Sequence, residues 1–219
     1  MSKKALITGT LVLTSASLIT KCIGFFYRVY MANLIGTEGM GLYQLIMPIY
    51  MLTWSITSSG FTTTISKLTA QEKAKNQTGN MGRILKQSLF MTLTISMILS
   101  VFLFLCADWF ALTVLREPRT ALSFRILAIA IPFMCSGSCI RGYFFGLQNA
   151  IVPAFSQVIE QIIRIIAVYL TASLFVPLGL AYACVSAVIG IVCGEIISFL
   201  FVFYNYIHLV LLHLYLFCY

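Results

Sequence analysis

The chain has 219 residues, 60% apolar and 9% charged, with a net charge of +8 and a mean hydropathy of +0.98. A soluble domain of this size could not stay dissolved with such a surface, and the long continuous apolar runs are those of membrane-spanning helices, not the short alternating segments of a β-barrel. The basic excess is no nucleic-acid signature, because much of it lies in short loops between apolar runs and no basic stripe carries interleaved aromatics.

Lys3 and Lys4 precede the first apolar run, and Ser15-Ala16-Ser17 has the look of a signal-peptide cleavage region. The apolar pattern resumes after Lys21 and continues to Ile35, which predicts an uncleaved first transmembrane helix. Segment one is predicted from about Ala5 to Leu34, longer than the ~30 Å hydrocarbon core requires, with Gly24 as a bend point. Gly36, Gly39 and Gly41 mark a turn around Glu38. Segment two is predicted from Leu42 to Ser66, followed by a polar loop from Lys67 to Arg83. Segment three covers Ile84 to Ala107, and Asp108 with Trp109 ends it at an interface. After a loop at Arg116 to Arg119, segment four covers Ala121 to Phe145, broken by Pro132 and Ser136-Gly137-Ser138. Segment five covers Pro153 to Val176, Pro177 and Gly179 reverse the chain, and segment six reaches Tyr204. The predicted class is an all-α integral membrane protein with about six transmembrane helices.

Orientation follows from the basic residues. With the N-terminus inside, inner loops carry Lys3, Lys4, Lys67, Lys73, Lys75, Arg83, Lys86 and Arg141, and outer loops only Arg116 and Arg119. That bias predicts a multi-pass cell-membrane protein with both termini cytoplasmic. The stretch 205–219 is an atypical tail beyond the 1–204 lobe, too short to span and without Lys or Arg. His208 and His213 are five apart, a poor spacing for two ligands on one helix face, and no metal site is expected there. The seven cysteines form no CxxC pair and read as small packing residues.

The informative charges lie inside the apolar segments. Lys21 and Arg28 are seven apart, on one face of the first helix. Two buried cations on one face repel each other unless an anion or a carboxylate lies between them. One reading is a phosphate or pyrophosphate site; the other is snorkelling by Arg28 with Lys21 paired to a carboxylate of another helix. Glu160 and Arg164 are four apart, a spacing for an in-helix ion pair that either steadies the bundle or belongs to a transport path. Glu195 stands alone in segment six, as a proton or cation site or as the partner of Lys21 or Arg28. Gly142 with Gly146, and Gly190 with Gly194, permit close helix contacts. Asp108 is the only Asp, and neither a Walker A sequence nor GxSxG is present, so no enzyme and no cofactor are expected.

Four stretches resemble the stage V sporulation protein B group of polysaccharide-lipid flippases: Thr20 to Arg28, Gly36 to Tyr50, Ile65 to Leu68, and Arg141 to Asn149 leading into Ser156 to Gln161. That group sits in the multidrug/oligosaccharidyl-lipid/polysaccharide exporter superfamily. The resemblance implies one lobe of a two-lobed exporter working by alternating access. It implies a polyprenyl-pyrophosphate-linked saccharide as substrate, in peptidoglycan or polysaccharide assembly, with a role in the spore cortex. Lys21 and Arg28 match the basic first-helix positions that line the cavity in related flippases, although Thr20 stands where Ser is usual. Arg164 is a further headgroup candidate, and Glu160 and Glu195 would balance charge or couple to an ion. Members of the group are about twice as long, and a basic loop usually follows their sixth helix. A frameshift or stop near Tyr204 would explain both departures. The alternatives are a cation-coupled multidrug exporter, and a non-transporting scaffold or inactive fragment. The expected partners are the lipid-linked saccharide and membrane lipids, with a homodimer if the half-length chain stands alone.

Overall fold

The computed structural model describes residues 3–75 and 78–217, with side chains described over 9–75 and 79–211. The side chains of Lys3, Lys4 and His213, and residues Asn76, Gln77 and Cys218, lie outside that description. The described chain is almost entirely helical: α1 (Lys3–Trp54), α2 (Gly60–Ala74), α3 (Thr78–Leu105), α4 (Ala121–Gly146), α5 (Ile151–Phe175) and α6 (Leu180–Phe217). Five continuous helical stretches are long and apolar enough to cross a membrane. The first of them, Gly9–Ala74, has 66 residues, on the order of 100 Å of helix against a ~30 Å core.

That stretch is divided at Gly36, with φ 70° and ψ −177°. This backbone region is open essentially to glycine alone. The expected turn is therefore a single residue, and Gly39 and Gly41 are helical. The two arms of α1, 3–35 and 37–54, fold toward each other. Tyr27, Met31 and Ile35 of the first arm pack with Met40 and Tyr43 of the second and with Val168, Ala183 and Ala187. The bend expected at Gly24 does not occur, because that glycine serves a close approach to α5 instead. Between α1 and α2 the helix widens over Ser55–Ser59, seven residues after Pro48, which has no N–H to donate to the ladder.

α4 and α6 are the central helices, and the others wrap around them. Ile46, Leu103, Phe124, Leu127, Ile131 and Ile191 form the main core among α1, α3, α4 and α6. The first arm of α1 lies on α5, α5 on α6, and α2 and α3 on α4. Lipid cannot supply the hydrophobic effect between helices, so close packing and polar contacts must do it. Both small-residue pairs serve that purpose. A Cβ on Gly142 would lie 2.7 Å from the Thr62 carbonyl oxygen, and one on Gly146 would lie 2.7 Å from that of Ser66. A Cβ on Gly190 or Gly194 would lie 2.9 Å from the carbonyl oxygen of Arg164 or Glu160 respectively. Ser100 Oγ adds a 2.6 Å bond to the Ala128 carbonyl oxygen between α3 and α4.

The loops gather at two ends. The Gly36 turn meets the 116–119 loop through Arg119–Glu38 at 3.0 Å. The C-terminal end of α2 meets the 147–150 turn through Lys73 Nζ, which donates to the Leu147 carbonyl at 2.7 Å. The first end pairs Arg119 with Glu38 and Glu117, and Arg125 with Asp108 at 2.6 Å. The other end exposes Lys67, Lys73, Lys75, Arg83 and Lys86 against Glu72 alone. Within the polar loop expected from Lys67 to Arg83, helix covers 67–74 and 78–83, because Lys67, Glu72 and Lys73 are good helix formers at a helix end that leaves the apolar layer. α4 runs unbroken through Pro132 and Ser136–Ser138. α6 continues as helix past Tyr204, with Tyr206 and Leu209 packed on Cys139, Ile140 and Phe144.

Candidate functional site

The first arm of α1 turns Tyr27 and Met31 inward, and both are buried. Lys21 and Arg28 lie roughly 100–120° further round the same helix, on one side of the α1–α5 contact, and both are exposed. Gly24, between them, faces α5: a Cβ there would sit 3.3 Å from Gln161 Nε2. Glycine thus lets α1 approach α5 where the basic residues flank the seam.

Among the described residues, neither cation has an ion-pair partner. The chain has six carboxylates. Glu38 and Glu117 meet Arg119, Glu72 meets Lys75, Asp108 meets Arg125, and Glu160 meets Arg164. The sixth, Glu195, accepts a hydrogen bond from the Tyr50 hydroxyl at 2.8 Å. Among the described residues, none pairs with Lys21 or Arg28. The expectation that Glu195 serves one of them is corrected here. Glu195 lies on the inner helix α6, 4% exposed, whereas the cations sit on the open side of α1.

Arg164 Nη2 donates to Glu160 Oε1 at 2.7 Å, and the two side chains are 16% and 19% exposed. This is the in-helix pair that the four-residue spacing predicts. Their backbone rests on Gly190 and Gly194, so α6 holds the pair from behind. Arg164 Nε is buried without a hydrogen-bond partner. The guanidinium lies within electrostatic reach of Tyr43, Tyr50 and Glu195. Tyr43 in turn feels Arg28. Arg28, Tyr43, Arg164 and Glu160 therefore share one side of the lobe, with Lys21 two helical turns along. The Tyr27 hydroxyl, also near Arg164, is buried and unpartnered.

Sequence reasoning missed four members of this region. Tyr43 and Tyr50 are seven apart, the same spacing that singled out Lys21 and Arg28, and Tyr27 adjoins Arg28. Arg141, assigned to an inner loop, stands within α4 instead. It is half-buried, donates to Ser138 Oγ at 3.2 Å and Ser198 Oγ at 3.3 Å, and acts on the charge of Glu195. Its signal was its place inside the apolar run ending at Phe145.

A concavity of about 380 Å³ lies on the other side of the α1–α5 seam, lined by Leu11, Ile19, Phe155 and Val158 among others, without a charge. An anionic group has no counter-charge there. The charged side instead carries the exposed Lys21 and Arg28 and the half-buried Arg164–Glu160 pair.

Residues 6–216 match the family described as polysaccharide biosynthesis protein. The chain is 36% identical over 203 residues to stage V sporulation protein B of Bacillus subtilis, covering 93% of this chain and 39% of that protein. It is 29% identical over 216 residues to lipid II flippase MurJ of the same organism, covering 92% and 40%. It thus spans well under half the length of these relatives. Among solved structures, an outward-facing multidrug resistance MATE family transporter of the MOP superfamily superposes with a TM-score of 0.68 at 16% identity, covering 90% of this chain and 44% of that one. A MOP superfamily transporter from Pyrococcus furiosus, with a binding pocket of reverse polarity, gives a TM-score of 0.71 at 15% identity and the same coverage. These two establish the fold.

Proposed function

This chain belongs to the polysaccharide biosynthesis protein family, and on that premise we propose that it forms one lobe of a flippase for a polyprenyl-pyrophosphate-linked saccharide. Lys21 and Arg28 hold the pyrophosphate, Arg164 joins them, and Glu160 and Glu195 balance the charge behind or couple to an ion. One observation carries the reading: among the described residues, two exposed cations on one side of a membrane helix have no ion-pair partner, while all six carboxylates are engaged elsewhere. A cation without an internal partner in an apolar segment is costly unless a ligand meets it. The names of the similar proteins, a sporulation protein and a lipid II flippase, support a lipid-linked substrate and a role in sporulation. The basic end of the bundle faces the cytoplasm in this reading, with both termini there. A second copy of the lobe, as a homodimer, is one arrangement that completes the cavity.

The test is transbilayer movement of a labelled polyprenyl-pyrophosphate saccharide in proteoliposomes holding the complete transporter. Replacing both Lys21 and Arg28 by Ala abolishes movement if they hold the headgroup; unchanged movement refutes the assignment. The multidrug alternative needs an embedded carboxylate exposed to a cationic drug, and the first arm of α1 presents cations instead. Efflux of a cationic dye would support that alternative.

A further inference from the structure

The charges behind the headgroup side form a balanced set from three helices. Glu160 and Arg164 come from α5, Arg141 from α4 and Glu195 from α6. Facing Glu195 are Tyr50 of α1, Arg141 and the Cys135 thiol of α4, and Glu160 and Arg164 of α5. Ser198, one turn along its own helix, holds Arg141. Two carboxylates and two guanidinium groups cancel.

Among the described residues, Glu195 is the one carboxylate with no ion pair. It is also the most buried of the six, and its hydrogen-bond donor is a neutral phenol. A phenol hydroxyl can bond a carboxylate or a carboxylic acid. The site can therefore exist in two forms with little rearrangement. A metal cation is a poor occupant, because guanidinium groups stand on two sides of the carboxylate and repel it. A proton needs no coordination shell. Once Glu195 is protonated, the set carries one surplus positive charge. That surplus is shared by Arg141, which has only serine hydroxyls as partners, and Arg164, whose partly exposed head lies on the side of Arg28 and Tyr43. A pyrophosphate arriving there neutralises it.

We propose that Glu195 is a proton-binding site linked to the anionic headgroup, so that a proton is taken up when the headgroup binds and released when it leaves. This rests on the reading of Lys21, Arg28 and Arg164 as the headgroup side. Linkage is reciprocal: the anion favours the protonated carboxyl by the same factor as the proton favours the anion.

The test uses the purified chain in lipid nanodiscs with farnesyl pyrophosphate as probe, at about pH 6 and about pH 8. The unmodified chain binds roughly tenfold tighter at the lower pH, within the usual 5- to 150-fold range of couplings. Glu195→Gln, a neutral mimic, binds tightly at both and loses the difference. Protonation of the probe itself near pH 6 works in the opposite direction and is common to both proteins. In weak buffer near pH 7, the unmodified chain takes up about half a proton more per bound ligand than the variant, the uptake that a tenfold change over two pH units requires. A Gln variant with the same pH dependence and the same uptake overturns the proposal. If that variant does not fold, infrared difference spectra of the unmodified chain decide: ligand addition gives a new protonated-carboxyl band, and no band overturns the proposal. Absence of probe binding at either pH defeats the headgroup reading, and this proposal with it. Binding that Lys21→Ala with Arg28→Ala leaves unchanged defeats that reading separately.

Discussion

Tyr50 on the second arm of α1 donates to Glu195 on α6 at 2.8 Å, joining residues 145 positions apart in sequence. The bond links the arm that Gly36 folds back to one of the two central helices. A buried carboxylate in an apolar layer is tolerated only with hydrogen bonds or counter-charges, and this one has both at hand. Removing the donor leaves the acid in place with less support. Tyr50→Phe therefore destabilises the chain by about 1–3 kcal/mol, the range for hydrogen bonds to charged groups. Thermal unfolding in detergent reads it, and an unchanged midpoint would show that the bond contributes nothing.

Lys21 and Arg28 should behave in the opposite way. Neither makes an ion pair among the described residues, so replacing both by Ala leaves folding stability within about 0.5 kcal/mol. Affinity for an isoprenoid pyrophosphate falls at least tenfold, and its dependence on salt weakens. A loss of stability that matches the loss of binding would mark the pair as structural.

The Glu160–Arg164 pair is testable by a double-mutant cycle. Breaking one side leaves a partly buried charge without its partner. Each of Glu160→Gln and Arg164→Gln is expected to cost about 2–3 kcal/mol, somewhat below the fully buried range because both heads are partly exposed. The double variant should cost less than the sum of the two. Simple additivity in chemical unfolding would show that the residues are not coupled.

Close approach at Gly194 predicts a contrast between two glycines. Gly194→Ala puts a methyl 2.9 Å from the Glu160 carbonyl oxygen and pushes α5 off α6, at about 1–3 kcal/mol. Gly41→Ala meets nothing within 4 Å in a helix and should be neutral or stabilising by up to about 1 kcal/mol. Equal midpoints for the two variants would rule out the packing account.

Gly36 carries a different constraint. Nothing crowds its missing Cβ, yet its φ of +70° with extended ψ excludes other residues. Gly36→Ala is expected to cost about 1–3 kcal/mol and to separate the arms of α1. Cross-linking yield between cysteines placed at positions 30 and 40 should fall; an unchanged yield would show that the turn survives without glycine.

Much of the fold was legible because membrane physics leaves few choices. Apolar runs of about 20 residues must be helices, and Gly36, Pro177 and Gly179 marked reversals where the backbone does turn, Gly179 with φ 119°. The two GxxxG pairs marked the closest helix contacts, although their partners could not be named: Gly142 and Gly146 meet α2, while Gly190 and Gly194 meet α5. Helix ends were less legible. Lys67 to Lys73 reads as a loop by polarity, yet polar residues make good helix once the segment leaves the apolar layer. Arg141 was misplaced for the complementary reason. A charge suggests a loop, but two serine hydroxyls from α4 and α6 make a half-buried place for it within the bundle.

The sequence by itself determined the class and the identity of the embedded charges, because hydropathy and residue spacing act locally along the chain. Helical periodicity also set Lys21 with Arg28 and Glu160 with Arg164, since residues seven or four apart share a face wherever the helix goes. Only the tertiary structure decided which charges meet across helices. It gave Glu195 to Tyr50 and left Lys21 and Arg28 without a carboxylate. That outcome depends on how α1 folds at Gly36 and how closely α5 and α6 approach over Gly190 and Gly194. These contacts join residues far apart in sequence, and no local pattern encodes their distances.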